Sequence, residues 1–208
     1  MTIWGVVSDV HGNLPALQEA VRLCRLGGAE RFAFLGDSLG RGDPDGCVAL
    51  IRSLADVSVV GNRDLDWQHR VADETRAYVL GLPASLRADD FVAVHGDPRL
   101  DRDLNSSEIR NGFRRAYRRL ERERAGLFLF GHTHRARVWR LPGPDEAPEL
   151  IYDAVVSSQP ATIALRRPVP SVRYAINVGT TGLPFAGKGP PACAVYDSGA
   201  GRLEVIVL

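Results

Sequence analysis

The sequence predicts an α/β fold in which a parallel sheet covered by helices is followed by a mainly β region. Three observations carry this prediction. Strand-like and helix-like segments alternate over residues 3–80, short strand-like runs dominate after residue 90, and the composition is globular, with 45% hydrophobic and 25% charged residues. The 208 residues suffice for one domain with a hydrophobic core, and no linker is visible, so we expect a single domain over residues 1–208.

The first half of the chain has a β-α-β-α-β-α order. In its first helix, Leu17, Val21 and Cys24 recur at helical spacing, and a Gly-Gly pair ends the pattern. The elements predicted here are a strand over residues 3–8, a helix over 14–26, a strand over 31–35, a helix over 44–55, a strand over 57–60 and a helix over 65–80.

The second half is predicted to be mainly β, apart from one long charged helix over residues 106–124. Short apolar runs that end beside glycine and histidine predict strands over residues 91–95 and 127–131. Further strands are predicted over residues 136–141, 151–156, 162–165, 174–178, 192–197 and 203–208. The last two are joined by Ser-Gly-Ala-Gly, a turn sequence that predicts a hairpin.

Charge and composition narrow the classes of function. The formal net charge is +1, which argues against a globally basic nucleic-acid binder. No apolar stretch is long enough to cross a membrane, and the N-terminal segment lacks the basic region of a signal peptide. Three widely spaced cysteines form no CxxC pair, so we expect a cytoplasmic protein.

Metal-ligand residue types follow one predicted strand after another. Four of the five histidines lie at such strand ends, beside glycine or aspartate, where α/β folds collect functional groups. Histidine together with carboxylate suits Mn, Fe, Co, Ni or Zn, and a carboxylate shared by two ions holds them about 3.5–4 Å apart. One Asp–His pair alone is better explained as a helix cap or a buried turn, whereas five ordered blocks favour a metal site. The blocks are Asp9-Val-His11, Gly36-Asp37, Gly61-Asn62-Arg63-Asp64, His95-Gly96 and Gly131-His132-Thr133-His134.

These blocks resemble the calcineurin-like metallophosphoesterases, whose signature is DxH, GD, GNH-D/E, a lone H and GHxH, in that order. Here the blocks read DVH, GD, GNRD, VHG and GHTH, and the resemblance extends from about residue 3 to Gly182. The opening SDVHGN and the turn INVGTTG are similar to small bacterial, phosphodiesterase-type members. The resemblance implies a four-layer sandwich of two mixed β-sheets with helices outside.

The resemblance also implies a dimetal phosphoesterase, with Mn as the expected metal and Fe, Ni, Co or Zn as alternatives. Two ions would act as Lewis acids on the phosphate, and a hydroxide bridging them would attack phosphorus in line. The implied substrate is a phosphate-ester small molecule or a nucleotide, cleaved as a phosphodiesterase or a nucleotide-type hydrolase. The implied ligands are Asp9, His11 and His134 for the first ion, Asn62, His95 and His132 for the second, and Asp37 as the bridge.

Arg63 departs from the family pattern, because it replaces the histidine that lies near the leaving group in the family. An arginine keeps its proton near neutral pH, so it can bind a phosphate oxygen but cannot protonate a leaving group. The replacement should therefore slow the hydrolysis of anhydrides and aryl esters least, because these substrates have good leaving groups. Asp64 normally orients the missing histidine and is expected to pair with Arg63 instead. His69, five residues further on, is either a substitute acid or, as we favour, an exposed helix residue.

Two segments outside the blocks leave alternatives open. Residues 99–140 contain 12 Arg and five acidic residues, which is either a basic rim for polyanionic substrates or, as we favour, a solvated helix face with Arg118–Glu121 and Arg119–Glu123 pairs. The proline-rich residues 142–172 form either a flap near the site or an edge hairpin that pairs two copies into a homodimer.

Other functions stay open. A phosphomonoesterase, a protein phosphatase or a dinucleoside-polyphosphate phosphatase would share the same blocks, although such enzymes usually keep the histidine that Arg63 replaces. The loss of that histidine instead motivates a non-catalytic function. A scaffold that uses the fold without catalysis is the rival class, although a scaffold has no need to keep seven ligands.

Overall fold

Two six-stranded mixed sheets form the fold of the computed structural model, which describes residues 1–96, 107–157, 159–165, 172–183 and 189–208 (backbone only for 107–110). The first sheet has the strand order β3-β2-β1-β11-β12-β9 and the second has the order β4-β5-β6-β10-β7-β8. The strands are β1 (Ile3–Val7), β2 (Arg31–Phe34), β3 (Ala55–Ser58), β4 (Ser85–Ala88), β5 (Phe91–Val94), β6 (Leu127–Phe130), β7 (Arg137–Leu141), β8 (Glu149–Asp153), β9 (Ala161–Ala164), β10 (Arg173–Asn177), β11 (Ala192–Asp197) and β12 (Arg202–Val207).

Each sheet is parallel in one part and antiparallel in another. Strands β1, β2 and β3 run parallel, as the alternating first half predicts, and β5, β6 and β10 form the parallel part of the second sheet. Strand β11 joins β1 antiparallel and forms the predicted hairpin with β12. The N-terminal and C-terminal parts of the chain therefore share one sheet.

The helices cover the outer faces of the two sheets. They are α1 (Leu14–Leu26), α2 (Pro44–Leu54), α3 (Asn62–Trp67), α4 (Asp73–Gly81), α5 (Ser107–Glu123) and the short α6 (Ala154–Ser157). Apolar residues of α1 and α2 pack with one face of the first sheet in one cluster, and those of α5 pack on the second sheet in another. The largest cluster, with Trp4, Phe91 and Tyr174 in it, lies between the sheets. This layering confirms the predicted fold class, because each sheet buries both faces.

One predicted helix is divided in the structure. The prediction over residues 65–80 becomes α3, a 3-10 turn at Gln68–Arg70, and α4. Helix α3 begins earlier than predicted because the Asp64 carboxylate accepts the Gly61 N–H at 2.9 Å and caps it. Val71 then adopts an extended conformation, which ends the helical path before α4 starts. His69 therefore lies in the turn, where it is exposed.

The predicted strand over residues 151–156 also differs. Strand β8 ends at Asp153, whose carboxylate accepts the Val155 N–H at 3.0 Å and turns the chain into α6. Strand β4 was not predicted, because its four residues lack β-branched side chains; antiparallel pairing with β5 holds it in the sheet.

Residues 142–172, left open between a flap and an edge hairpin, supply one edge strand to each sheet. Strand β8 lies at the edge of the second sheet and β9 at the edge of the first, so the segment passes between the two sheets. Residues 158 and 166–171 of this segment lie outside the described residues.

The basic helix α5 packs as its apolar stripe predicts. Phe113, Tyr117 and Leu120 are buried, while most of its arginines are exposed. The Arg119–Glu123 ion pair forms at 2.8 Å, but the predicted Arg118–Glu121 pair does not occur among the described side chains. No helix within the described ranges is long and apolar enough to span a membrane.

Candidate metal centre

The seven residues predicted as metal ligands all lie just beyond the carboxyl ends of strands. Three loops of the first sheet carry Asp9 and His11 after β1, Asp37 after β2, and Asn62 beyond β3. Two loops of the second sheet carry the other three, namely His95 after β5, and His132 and His134 after β6. Because strand ends of both sheets meet at one edge of the sandwich, the loops face one another there.

One group of three buried side chains surrounds the Asp9 carboxylate. Asp9 Oδ1 lies 3.2 Å from His134 Nε2 and 3.7 Å from His11 Nε2, and the two imidazole nitrogens lie 3.1 Å apart. One ligand atom from each residue lies within 4.8 Å of the others, a spacing at which one cation can contact all three. This is the group that the resemblance implies for the first ion.

A second group of three shares Asp9 and adds Asp37 and His95, again with ligand atoms within 4.8 Å of one another. Asp37 Oδ2 lies 3.3 Å from His95 Nε2 and 3.8 Å from His11 Nε2. That oxygen is thus near histidines of both groups, as expected of a shared carboxylate.

Asn62 and His132 complete the cluster on the side of His95. The Asn62 side-chain oxygen lies 3.1 Å from His95 Nε2 and 2.9 Å from His132 Nδ1. The rings of His95 and His132 meet edge to face, with centroids 5.2 Å apart. All seven predicted ligands are therefore brought together.

Hydrogen bonds fix two of the imidazoles in the tautomer that a metal requires. His95 Nδ1 lies 2.7 Å from the Leu35 carbonyl oxygen, and His134 Nδ1 lies 2.9 Å from that of Leu183. A carbonyl only accepts, so each Nδ1 carries a proton and Nε2 is the nitrogen left to bind a metal. Each Nε2 is on the side of the ring that faces the carboxylates, the arrangement typical of histidine ligands.

The carboxylates themselves call for a cation. Asp9 is fully buried, and Oδ1 has no hydrogen-bond donor of acceptable geometry among the described residues. Its nearest imidazole nitrogens are Nε2 of His134 at 3.2 Å and Nε2 of His11 at 3.7 Å. An uncompensated buried carboxylate oxygen is costly, and a divalent cation would remove that cost. The residues present therefore fit a metal site.

The pKa values reflect the negative charge of the cluster. Burial by itself lowers the pKa of His95, but the carboxylates of Asp37 and Asp9 outweigh it and raise the pKa to about 9. Burial would raise the pKa of Asp9, yet the contacts with His11 and His134 hold it below its usual range. Positive charge is therefore stabilised at this cluster.

Most of the candidate ligands adopt a rare backbone conformation. Seven non-glycine residues among those described have positive φ, and five of them are candidate ligands. Left-handed backbone costs energy even for Asp and His, which tolerate it better than most residues, and it concentrates at functional sites. The five are Asp9, His11, Asp37, His132 and His134.

The structure also identifies supporting residues that the sequence analysis did not single out. Ser8 Oγ donates to Asp9 Oδ2 at 2.6 Å, and Thr180 Oγ1 donates to the Asp9 carbonyl at 2.9 Å. A Cβ at Gly131 would lie 1.9 Å from Ser8 Oγ, so only glycine fits there. Asn177 donates to the Gly131 carbonyl at 2.9 Å and to Thr133 Oγ1 at 2.7 Å. The INVGTTG turn thereby holds the GHTH loop in place.

Asp64 does not pair with Arg63 as predicted. Its buried carboxylate accepts three backbone N–H groups at 2.9–3.0 Å, from Asp37, Leu39 and Gly61. It thereby ties the loop after β2 to the loop after β3. The Arg63 guanidinium instead makes an exposed 3.4 Å contact with Asp66. The Arg63 backbone N–H donates to Asp37 Oδ1 at 2.7 Å, so the residue is anchored beside the cluster.

A cavity of about 590 Å³ opens beside His11. Arg63 lines it, as do Arg41 and Trp67, neither of which belongs to any sequence block. Sequence patterns could not have placed these two residues here, because Arg41 comes from the loop before α2 and Trp67 from the end of α3.

Comparison with known proteins decides the family. The model of the calcineurin-like phosphoesterase superfamily domain matches residues 1–156, which is most of the chain. The chain belongs to the calcineurin-like phosphoesterase superfamily. This confirms the resemblance carried by the five blocks.

Solved structures agree with this assignment. The chain is similar to a metallophosphoesterase from Sphaerobacter thermophilus, with 26% identity, a TM-score of 0.76, and coverage of 99% of this chain and 88% of that one. Two others show the shared fold: an archaeal phosphodiesterase (17% identity, TM-score 0.56, 99% of both chains) and the hypothetical protein PH1004 from Pyrococcus horikoshii OT3 (15%, 0.61, 100% and 88%).

A curated relative matches over a shorter stretch. The chain is 45% identical to the uncharacterized protein MJ0912 of Methanocaldococcus jannaschii over 60 residues, which is 28% of this chain and 25% of that protein. The matching family is one of phosphoesterases, so this calcineurin-like member is assigned to that general class of hydrolase.

Proposed function

We propose that this calcineurin-like phosphoesterase is a dimetal-dependent phosphodiesterase or nucleotide-type hydrolase. The observation that carries the proposal is the convergence of two buried carboxylates and three buried histidines in two groups, each with its ligand atoms within 4.8 Å. Asp9, His11 and His134 would hold the first ion, Asn62, His95 and His132 the second, and Asp37 both, with Mn as the expected metal.

Each protein group has a distinct task in this proposal. When bound, two divalent ions supply Lewis-acid activation of the phosphate and of a water nucleophile. The Leu35 and Leu183 carbonyls accept from Nδ1 of His95 and His134 and so turn Nε2 of each ring toward the carboxylates, where it would ligate an ion. Asp64 is a positioning residue, which holds Asp37 and Gly61 in register. Arg63 lines the cavity beside His11, where its guanidinium can offset charge that develops on phosphate oxygens.

The same proposal covers the organisation of the chain. Residues 1–208 are proposed to act as one domain, because β1 pairs with β11 and β12 with β9 in one sheet. A cytoplasmic location is proposed from the three cysteines, all of which are free and buried.

The test is hydrolysis of bis(p-nitrophenyl) phosphate by protein stripped with a chelator and reloaded with Mn²⁺, with p-nitrophenyl phosphate assayed in parallel. Metal-dependent turnover of the diester is the expected result. Turnover of the monoester alone would indicate a phosphomonoesterase. Two bound ions per chain without turnover of either substrate would favour the scaffold function over catalysis.

A further inference from the structure

The cavity beside the candidate metal centre is too large for a phosphate group alone. Its volume of about 590 Å³ is within the range of about 300–1,000 Å³ that holds drug-sized ligands. His11, a candidate ligand of the first ion, is one of its lining residues. A phosphoester bound at the metal centre would therefore have the rest of the molecule in this cavity.

The cavity carries two cations. Arg41 is exposed, and its guanidinium has no acidic partner among the described residues. Within the described part of the chain, the acidic contact of the Arg63 guanidinium is the exposed one with Asp66 at 3.4 Å. The acid on the lining, Asp43, accepts the Gly46 N–H at 2.8 Å and caps α2, so it is already engaged. Two guanidinium groups are thus available to an anionic group that is separate from the reacting phosphate.

The remaining wall is aromatic and apolar. Trp67, Pro15 and Leu183 line it, and Arg70 covers one side of the Trp67 ring, with its guanidinium carbon 4.6 Å from the ring centroid. An indole in a partly open cavity provides a surface for stacking a flat heterocycle. The lining therefore suits a molecule that combines a second anionic group with a flat base.

The position of Arg63 adds a constraint on the leaving group. Its backbone N–H is fixed to Asp37 Oδ1, beside the proposed point of reaction, and an arginine has no proton to give near neutral pH. A leaving group that can depart as an anion therefore suits this position best. A nucleotide phosphate can do so, because its second ionisation occurs at about pH 6.

We propose that the substrate is a nucleoside diphosphate, or an ester of one, whose leaving nucleotide binds Arg41, Arg63 and Trp67. The inference rests on the proposed function and names the substrate class for the same centre. A water oxygen forms a bond to the terminal phosphorus while the bond from that phosphorus to the bridging oxygen breaks. The electron pair stays on the leaving nucleoside monophosphate, and the water proton passes to solvent.

The binding test uses AMP, which fills the leaving-group cavity without turnover. Of the three tryptophans, Trp4 and Trp139 are fully buried and Trp67 is half-buried, so quenching of tryptophan emission reports on this cavity. We expect saturable quenching by AMP, a loss of the signal in Trp67→Phe, and about tenfold weaker binding in Arg41→Ala. Arg76→Ala, an exposed arginine on α4 outside the cavity, is the matched control and should bind AMP like the wild type.

The activity test compares ADP with bis(p-nitrophenyl) phosphate on Mn²⁺-loaded protein. We expect ADP to yield AMP and phosphate, and Arg41→Ala to lower kcat/KM about tenfold for ADP and less than about twofold for the diester. An equal loss of kcat/KM on both substrates would mean that Arg41 has a structural role and does not bind the nucleotide, which would overturn the inference. Turnover of the diester with no response to AMP or ADP overturns this inference alone, whereas no turnover of either substrate overturns the proposed function and this inference with it.

Discussion

Replacing Asp64 by asparagine tests whether this carboxylate organises the metal centre. Asp64 is fully buried and accepts three backbone N–H groups at 2.9–3.0 Å. An asparagine offers one acceptor oxygen. This oxygen can accept the hydrogen bonds from the Asp37 and Gly61 N–H groups, but the asparagine NH₂ group then faces the Leu39 N–H. One charge-assisted hydrogen bond is then lost, and two donors oppose each other in a buried site.

The expected cost follows from these contacts. The lost bond is worth about 1.5–3 kcal/mol, and the unsatisfied Leu39 N–H adds about 1–3 kcal/mol. Burial raises the pKa of Asp64, although its backbone hydrogen bonds oppose this shift. The buried carboxylate therefore carries a desolvation cost, which the uncharged asparagine removes. The two contributions sum to about 2.5–6 kcal/mol, and this offset places the expected net loss of unfolding free energy at the low end of that range, about 2–3 kcal/mol.

The assay is urea unfolding of the metal-free protein, followed by circular dichroism. Asp66→Asn is the matched control, because it changes an exposed acid of the same helix that forms a 3.4 Å ion pair with Arg63. That variant should lose less than about 0.5 kcal/mol. Asp64→Asn should in addition bind Mn²⁺ about 10–100-fold more weakly, because replacing a residue that holds a metal ligand in place typically weakens metal binding by this factor. Equal unfolding free energies in the two variants, with unchanged Mn²⁺ affinity, would refute the reasoning.

Three further predictions follow from the same contacts. Asp37→Asn should abolish tight Mn²⁺ binding and diester hydrolysis, since it removes the carboxylate near both histidine groups; calorimetric titration with Mn²⁺ checks this, and full activity would contradict the dimetal assignment. Arg63→His should raise activity more on alkyl phosphodiesters, which leave poorly, than on aryl esters, and an equal change on both would contradict the leaving-group argument. Asp153→Asn should lower the free energy of unfolding by about 3 kcal/mol near pH 7, because it breaks the ion pairs of Asp153 with Arg135 and Arg137. Burial alone would raise the pKa of Asp153, but these two arginines hold it below its usual range. Since a lowered carboxyl pKa stabilises the fold above the unfolded value of about 3.9, the difference from wild type in urea unfolding should shrink as the pH falls below about 4; a constant difference would argue against an ionic contribution.

The sequence predicted that the candidate residues lie together. Asp9 and Asp37 could be placed side by side because each follows an apolar strand of one sheet, and the carboxyl ends of parallel strands meet at one edge. His95 follows a strand of the second sheet, so its place in the cluster was implied by the family resemblance, which the match over residues 1–156 then confirmed. The assignment of each ligand to one ion stays a prediction.

The errors arose where long-range contacts decide local structure. The helix predicted over 65–80 is divided because Asp64 caps α3 early and Val71 turns extended, neither of which changes the apolar spacing. The strand predicted over 151–156 is rich in β-branched residues, yet the Asp153–Val155 hydrogen bond ends it. Trp67 and Arg41 had no recognisable pattern, since only the folded chain brings them to one cavity.

The backbone of the candidate ligands argues that the site is maintained for its geometry. Five ligands with positive φ cost about 1 kcal/mol or more each, a sum comparable to the whole stability of a small domain, about 5–15 kcal/mol. Such loops persist only if other contacts hold them, and the bonds made by Asp64, Asn177 and Thr180 act on these loops. Those supporting bonds hold the backbone of the loops, so the strain and its compensation both serve to bring the carboxylates and imidazoles next to one another. If this edge of the sandwich served only for packing, neither the strained backbone nor the hydrogen bonds that hold it would stabilise the fold.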